Sequence, residues 1–526
     1  MKILVADDLE AAGIRLLEQE AGFQVDVKTG LSPDALKSVI SGYDALVIRS
    51  GTRVTETVIK GAVRLKVIGR AGIGLDNVDI PAATRRGIVV MNTPGGNAVT
   101  TAEHTIAMLM AMSRNIPRGT ISLKSGRWEK KNLQGREVFN KVLGVIGFGK
   151  IGSIVADRAR GLKMQVIVYD PYVPPEHIEK AGFRSVSIEE LYRTADYVTV
   201  HVPRLNNTVG FVDSHAFRKM KDGVMIINCA RGGIIDEEAL YEAIVSGKVA
   251  GAALDVFESE PPGESPLLSS DRVVCTPHLG ASTLEAQANV STAVAGQIID
   301  YLKNGTIVNA VNVPSVTGES LHRLGPYLAL GAQMGCLQAQ LCKVPFREVV
   351  IEYRGDFQGL DLSPVTTSVL QGLLSPMIKD EVNFVNARFI AKEMGMAVTE
   401  TQTADAEEYI NMITVRIASN ETTSTVSGTI FGKNEARIVR INSFRLEMVA
   451  KGHLALIQNI DIPGSIGEIG TALGRHRINI GRMQVGQEEE GDRNIIFLET
   501  DTPIPGPVLE EIRALSTVKR VIPLEF

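Results

Sequence analysis

The stretch Val142-Leu143-Gly144-Val145-Ile146-Gly147-Phe148-Gly149-Lys150-Ile151-Gly152 constrains this chain more than any other. An apolar run of buried-strand type feeds directly into Gly147-x-Gly149-x-x-Gly152, and a helix-like segment follows. In such a unit the first glycine permits a tight turn. The second lets backbone approach a pyrophosphate, and the third lets helix pack on strand. The helix N-terminus then presents free N–H groups and a partial positive charge to the phosphates. A second apolar run, 165–169, ends at Asp170. A carboxylate there accepts both ribose hydroxyls and repels a 2′-phosphate, so the expected cofactor is NAD rather than NADP. The plainer reading, a βαβ turn beside a solvated acid, is disfavoured because strand, loop, helix and second strand all occur in order.

Short apolar runs alternate with amphipathic segments on both sides of this loop. Before it they are Ile3–Val5, 23–27, 45–48, 66–68 and 88–90; after it, 197–200, 224–228 and 273–275. Such alternation predicts two parallel sheets flanked by helices, hence an α/β chain. One long helix is expected from Thr100 to about Lys124, bridging the two. The pattern stops near Val313-Pro314. Residues 315–450 mix strand-like and helical runs and carry no chemical motif. Residues 453–526 read βαββαβ, the ferredoxin-like split motif.

A length of 526 residues allows roughly three to four domains. A net charge of −5 gives no electrostatic ground for binding nucleic acid or an anionic membrane. No apolar run approaches the ~20 residues that span a bilayer. The start, Met1 to Asp8, turns acidic too soon for a secretory signal. Cys229, Cys275, Cys336 and Cys342 are scattered, which suggests neither a disulfide framework nor a metal site. The expected setting is the cytoplasm.

Three segments after the cofactor loop carry candidate chemistry. Asn228-Cys229-Ala230-Arg231-Gly232-Gly233 ends a strand and offers a planar guanidinium fork, which suits a carboxylate. The segment 253–262 contains Asp255, Glu258 and Glu260 ahead of Pro261-Pro262. Thr276-Pro277-His278-Leu279-Gly280-Ala281 supplies an imidazole able to act as general acid or base. Singly, each is more often a surface arginine, an acidic turn or a structural histidine. Hydride exchange at a 2-hydroxy or 2-keto acid needs all three: a fixed cation, a proton carrier and a group that tunes it.

With these motifs the chain resembles the D-2-hydroxyacid dehydrogenases. The resemblance implies that Arg231 binds the substrate carboxylate and C2 oxygen, and that His278 takes the hydroxyl proton during oxidation. Glu260 would pair with His278 and stabilise its imidazolium; Glu258 is the alternative partner. Lys150, Ile151, Val202, Cys229, Ala230, Asp255, Leu279, Gly280, Ala281 and Ile73 would join the cofactor site, with Asp255 near the nicotinamide carboxamide. His201 reads as structural. Arg49, Ser50 and Asn97 would line the substrate pocket, and a cationic loop there suits a phosphorylated 2-hydroxy acid. The basic cluster with Trp128, Lys130 and Lys131 would reach a partner subunit's site, or be a solvated charge run.

The tail resembles an ACT domain, a small-molecule sensor. Asn459, Asp461 and Asn479 would hold an effector, expected to be serine. The order of units resembles the long-form branch of the family, which oxidises D-3-phosphoglycerate to 3-phosphohydroxypyruvate. It implies a substrate-binding domain at 1–97 and 283–312, a Rossmann domain at 98–282, an intervening regulatory domain at 313–450 and the ACT domain at 451–526. Arg437, Arg440 and Arg445 would form an anion site in the third. A homodimer or homotetramer is expected. The competing expectations are another 2-hydroxyacid dehydrogenase, acting on glycerate, glyoxylate or lactate, and an NAD-sensing binding protein of the corepressor type.

Overall fold

The computed structural model describes residues 1–315, 318–342, 346–357, 359–379, 381–405, 408–419, 423–488 and 493–526. The first sheet holds β1 (Lys2–Val5), β2 (Gln24–Val27), β3 (Ala45–Ile48), β4 (Val67–Arg70) and β5 (Val89–Met91). All five are parallel, in the order β2-β1-β3-β4-β5. β3 and β5 are buried at every position, as expected of strands covered on both faces.

The second sheet is also parallel and holds β6 (Val142–Ile146), β7 (Gln165–Tyr169), β8 (Arg184–Ser185), β9 (Tyr197–Val200), β10 (Val224–Asn228), β11 (Val249–Leu254) and β12 (Val273–Cys275). Its order is β12-β11-β10-β9-β6-β7-β8, with the strand order reversing at β6. The helix Leu284–Asn304 then returns to the first sheet. Thr283 caps it by accepting from Ala286 N, and Gly305 ends it in the left-handed region. Its Ser291 Oγ donates to Glu10 O at 2.8 Å. Val290, Val294 and Ile298 are buried on the first sheet, each contributing roughly 1.5–3 kcal/mol.

The bridging helix differs from its expected extent. It runs as Ala98–Ser113 and again as Ile116–Lys124, broken at Asn115 with φ 53°. Asparagine tolerates that left-handed conformation, and Pro117 has no N–H with which to continue the ladder. The carbonyl of Ser113 accepts from Arg136 N instead.

The remaining strands are β13 (Glu348–Gly355), β14 (Ala397–Thr403), β15 (Asn411–Ala418), β16 (Thr423–Phe431), β17 (Glu435–Ile441), β18 (Phe444–Met448), β19 (His453–Ile460), β20 (Ile480–Glu488), β21 (Arg493–Thr500) and β22 (Val518–Glu525). They form one ten-stranded sheet, β14-β13-β15-β16-β17-β18-β20-β21-β19-β22. Its last four strands, with helices Ser465–Arg475 and Gly506–Arg513, make the βαββαβ unit. The join is narrow: Phe444 pairs with Glu488 and Arg445 with Gln487. One apolar core nevertheless spans both parts. Leu454, Leu456, Phe497 and Leu524 share it with Leu330, Met334 and Leu337 of the helix Gly318–Leu341. Gln340 also exchanges two hydrogen bonds with the backbone of Glu525, both 2.9 Å. The segment between β13 and β14 docks on the first domain, where Asn383 Nδ2 donates to Gly87 O and Arg85 lies over the Phe389 ring.

Candidate active site

Both parallel sheets present the carboxyl ends of their strands to one cleft, where ligands of such sheets bind. Gly147 follows β6 at φ +95°, a conformation that favours glycine. A Cβ at Gly152 would sit 2.0 Å from Gly147 O, so helix and loop touch there. A Cβ at Gly149 would meet nothing within 4 Å. The backbone therefore opens on that side, at the start of the helix Lys150–Gly161, with Ile151 in its first turn. This is the cradle a dinucleotide pyrophosphate requires. Asp170, at the end of β7, accepts from Phe148 N at 2.7 Å and from the N–H groups of Tyr172 and Val173. Three amides thus orient the carboxylate beside the loop. Val202 borders Gly147 from the next strand end.

His201 supports the loop from beneath. Its Nε2 lies 2.9 Å from Thr199 Oγ1. Part of the residue's surface stays accessible, but Nδ1 is sealed without a partner. Burial pushes this imidazole down to about 3, so it is neutral at physiological pH.

The proton-handling pair lies across the cleft floor. His278 Nδ1 is 2.7 Å from Glu260 Oε2. Burial would raise the Glu260 carboxyl, but the hydrogen bond from His278 and its charge outweigh it and hold the carboxyl below the ordinary range. An ionised acceptor requires Nδ1 to donate, which leaves Nε2 with a lone pair for a substrate hydroxyl. Glu258 does not reach the ring; its N–H donates to Glu237 Oε1 at 2.5 Å. The two loops interlock at Gly232, where a Cβ would fall 1.8 Å from Phe257 O.

Arg231 reaches across the cleft. Its Nε donates to Asp76 Oδ2 at 3.0 Å and its NH1 to Ala230 O at 2.7 Å. Cys229 is buried, and burial, followed by the Asp255 charge, pushes its thiol up to about 12. A thiol held protonated in this way is unreactive. Asp255, 1% exposed, accepts from Leu279 N and Gly280 N at 2.7 and 2.8 Å; Ala281 follows. Ile73 O accepts from Asn92 Nδ2.

On the facing wall Arg49 N donates to Asp7 Oδ2 and Arg49 NH1 to Asp8 O. Ser50 is exposed beside it. Asn97 carries a sealed Oδ1 with no partner, a site for a ligand donor. Arg70 was not among the residues singled out from sequence. Burial, and then the nearby Arg231, lower its guanidinium to about 10, and its Nε is sealed without a partner. Arg49 also lies close enough to depress it. Asp76 and Asp7 offset part of this, and a partly buried arginine beside two others is a fitting place for a further anion. Its signal in the sequence was its place at the end of β4, facing the cleft.

The expected effector residues differ in exposure. Asn459 is buried under the helix Ser465–Arg475, with Nδ2 donating to Ser465 Oγ, while Asp461 and Asn479 are exposed. Arg437 is paired with Glu435 and Glu447, and Arg445 with Glu408. Arg440 and Arg445 face each other as strand neighbours of β17 and β18. Lys130 and Lys131 begin a short 3-10 turn and are exposed. Among the described residues no helix is long and apolar enough to cross a membrane.

Known proteins match along the same lines. Residues 106–280 fit the D-isomer specific 2-hydroxyacid dehydrogenase NAD binding domain. Residues 323–442 fit the D-3-phosphoglycerate dehydrogenase intervening domain, and 453–517 an ACT domain. The D-3-phosphoglycerate dehydrogenase of Archaeoglobus fulgidus is 43% identical over 98% of both chains. That of Bacillus subtilis is 40% identical over 97% of each. Among solved structures, the TT0316 protein of Thermus thermophilus matches 59% of this chain and all of its own, at TM-score 0.55 and 32% identity. The NAD-dependent formate dehydrogenase of Staphylococcus aureus, solved with NAD, matches 60% of this chain at TM-score 0.55 and 27% identity. Whole-length likeness to these relatives places this chain in the D-3-phosphoglycerate dehydrogenase family.

Proposed function

We propose that this chain oxidises D-3-phosphoglycerate to 3-phosphohydroxypyruvate with NAD⁺, the entry to L-serine synthesis. The observation that carries the reading is the His278–Glu260 pair, 2.7 Å apart, on the same cleft as Arg231. Gly147, Gly149 and Gly152 would hold the pyrophosphate and Asp170 the ribose. Bound NAD⁺ supplies the hydride acceptor. Arg231 binds the carboxylate and C2 oxygen, and His278 Nε2 takes the hydroxyl proton as the C2–O bond becomes a carbonyl. The resulting imidazolium is stabilised by ionised Glu260 through Nδ1. Arg49, Arg70, Ser50 and Asn97 give the phosphate end a cationic, donor-rich wall. Lys130 or Lys131 of a second subunit could extend it, given the exposed apolar run Ile121, Leu123 and Trp128 beside them, a surface that fits pairing of two chains.

Serine is the proposed effector of the ACT domain, and the cytoplasm the proposed location. Purified protein with NAD⁺ should reduce the cofactor on D-3-phosphoglycerate and leave D-lactate unreacted. No turnover on any 2-hydroxy acid would remove the enzyme reading. Millimolar serine should slow the reaction, and sedimentation should show a dimer or tetramer.

A further inference from the structure

Helix Ala98–Ser113 is the first segment to cross from the substrate-binding sheet to the cofactor sheet. One of its faces meets the loops that carry the proton-handling pair. On that face His104 Nε2 lies 3.2 Å from Asp255 Oδ1 and 3.2 Å from Thr276 Oγ1. Thr276 Oγ1 donates to the same Asp255 oxygen at 2.6 Å. Asp255 in turn accepts from the N–H groups of Leu279 and Gly280, and its own carbonyl accepts from His278 N at 2.9 Å. One buried carboxylate therefore grips the turn on both sides of His278.

That turn needs gripping. His278 has φ +55°, a left-handed conformation that costs a non-glycine residue of order 1 kcal/mol or more. It persists only where its surroundings over-determine it. Burial would raise the Asp255 carboxyl, but His104, Thr276 and Leu279 hold it low and ionised. With Thr276 already donating to Oδ1, His104 joins as a further donor through Nε2–H.

We propose that His104 is a positioning residue for the dehydrogenase reaction: its ring N–H fixes Asp255, and Asp255 fixes the backbone on which His278 is aimed at the substrate hydroxyl. Because His104 sits on the crossing helix, the aim of His278 is tied to the same segment that joins the two walls of the cleft. Thr101, one turn earlier on the helix, packs against Gly280 and completes the contact.

The inference rests on the dehydrogenase reading, so its test has one readout that does not use turnover. His104→Leu keeps bulk and removes the donor; His104→Gln keeps a donor near the Nε2 position. Misplacing a reacting group by ~1 Å costs on the order of 10²-fold. His104→Leu should therefore lower kcat by roughly 10- to 100-fold with the KM for NAD⁺ little changed, and His104→Gln should recover most of it. Hydrogen exchange followed by mass spectrometry on residues 276–282 should quicken in His104→Leu and stay slow in His104→Gln. Unchanged exchange in His104→Leu overturns the proposal. So does a glutamine variant as slow as leucine, or a kcat loss matched by a proportional fall in folded protein. Absence of turnover in the unmutated protein would instead defeat the activity reading, while the exchange comparison would still decide the role of His104.

Discussion

Arg231 Nε and Asp76 Oδ2 are 3.0 Å apart although 155 residues separate them, and the bond joins the cofactor wall of the cleft to the substrate wall. Both side chains keep solvent access, so the pair contributes little to stability. Its effect is on orientation, since it fixes one edge of the guanidinium and turns the other to the cleft. Asp76→Asn should raise the KM for D-3-phosphoglycerate several-fold and leave kcat within about twofold, because positioning is lost before chemistry. Steady-state kinetics decides this; an unchanged KM would mean that Arg231 orients itself.

Glu260 titrates below its ordinary 4.5 in the fold. As pH falls, the unfolded chain takes up this proton first. The stabilisation from the pair with His278 is therefore complete above pH 4.5 and is lost as pH drops through the lower folded value. Glu260→Gln should melt below the native protein at neutral pH, and the gap should close in acid. Its kcat should fall by about 10²-fold, the usual scale for a disrupted proton carrier. Parallel melting curves at all pH values would contradict the pairing.

Replacing Arg70 tests whether phosphate recognition is separate from the chemistry. Charge-assisted hydrogen bonds contribute about 1.5–3 kcal/mol, so Arg70→Leu should raise the KM for the phosphorylated substrate roughly tenfold or more. Any turnover on D-glycerate, which lacks the phosphate, should be the same in the variant as in the unmutated protein. Equal losses on both substrates would place Arg70 in general support of the cleft.

His201 makes the fold acid-sensitive in a window distinct from that of Glu260. Its folded value of about 3 lies below the ordinary 6.5. Unfolding thus takes up a proton below pH 6.5, and stability falls as pH drops from there toward 3. At pH 5 the loss is on the order of 2 kcal/mol relative to neutral pH. His201→Asn should flatten this slope. Urea denaturation at pH 7.5 and pH 5 measures it, and equal slopes would show that His201 is solvated.

The parts legible in the sequence were those with local causes. Gly147 to Gly152 announce themselves because each glycine answers a steric need within a few residues, and Asp170 follows at the next strand end. Glu260 and His278 stand beside proline-marked turns. Arg70 and His104 were hidden for a different reason. One closes an ordinary apolar strand and the other lies on an ordinary helix, and only the tertiary fold brings them to the cleft. The break at Asn115 was masked because Pro117 is also acceptable in the first turn of a new helix. The β18–β20 join rests on two residue pairs, Phe444 with Glu488 and Arg445 with Gln487, far apart in the chain and with no pattern in either strand to announce them.

That join bears on how the molecule could be taken apart. Motifs change near residue 450, yet the apolar core that contains Met334 and Leu337 is closed by Leu456 and Phe497 from the other side. Cutting the chain between β18 and β19 would leave an oily wound on both fragments. The unit of inheritance and the unit of folding thus have different seams. A tail grafted from a relative would have to bring its own matching half of that core.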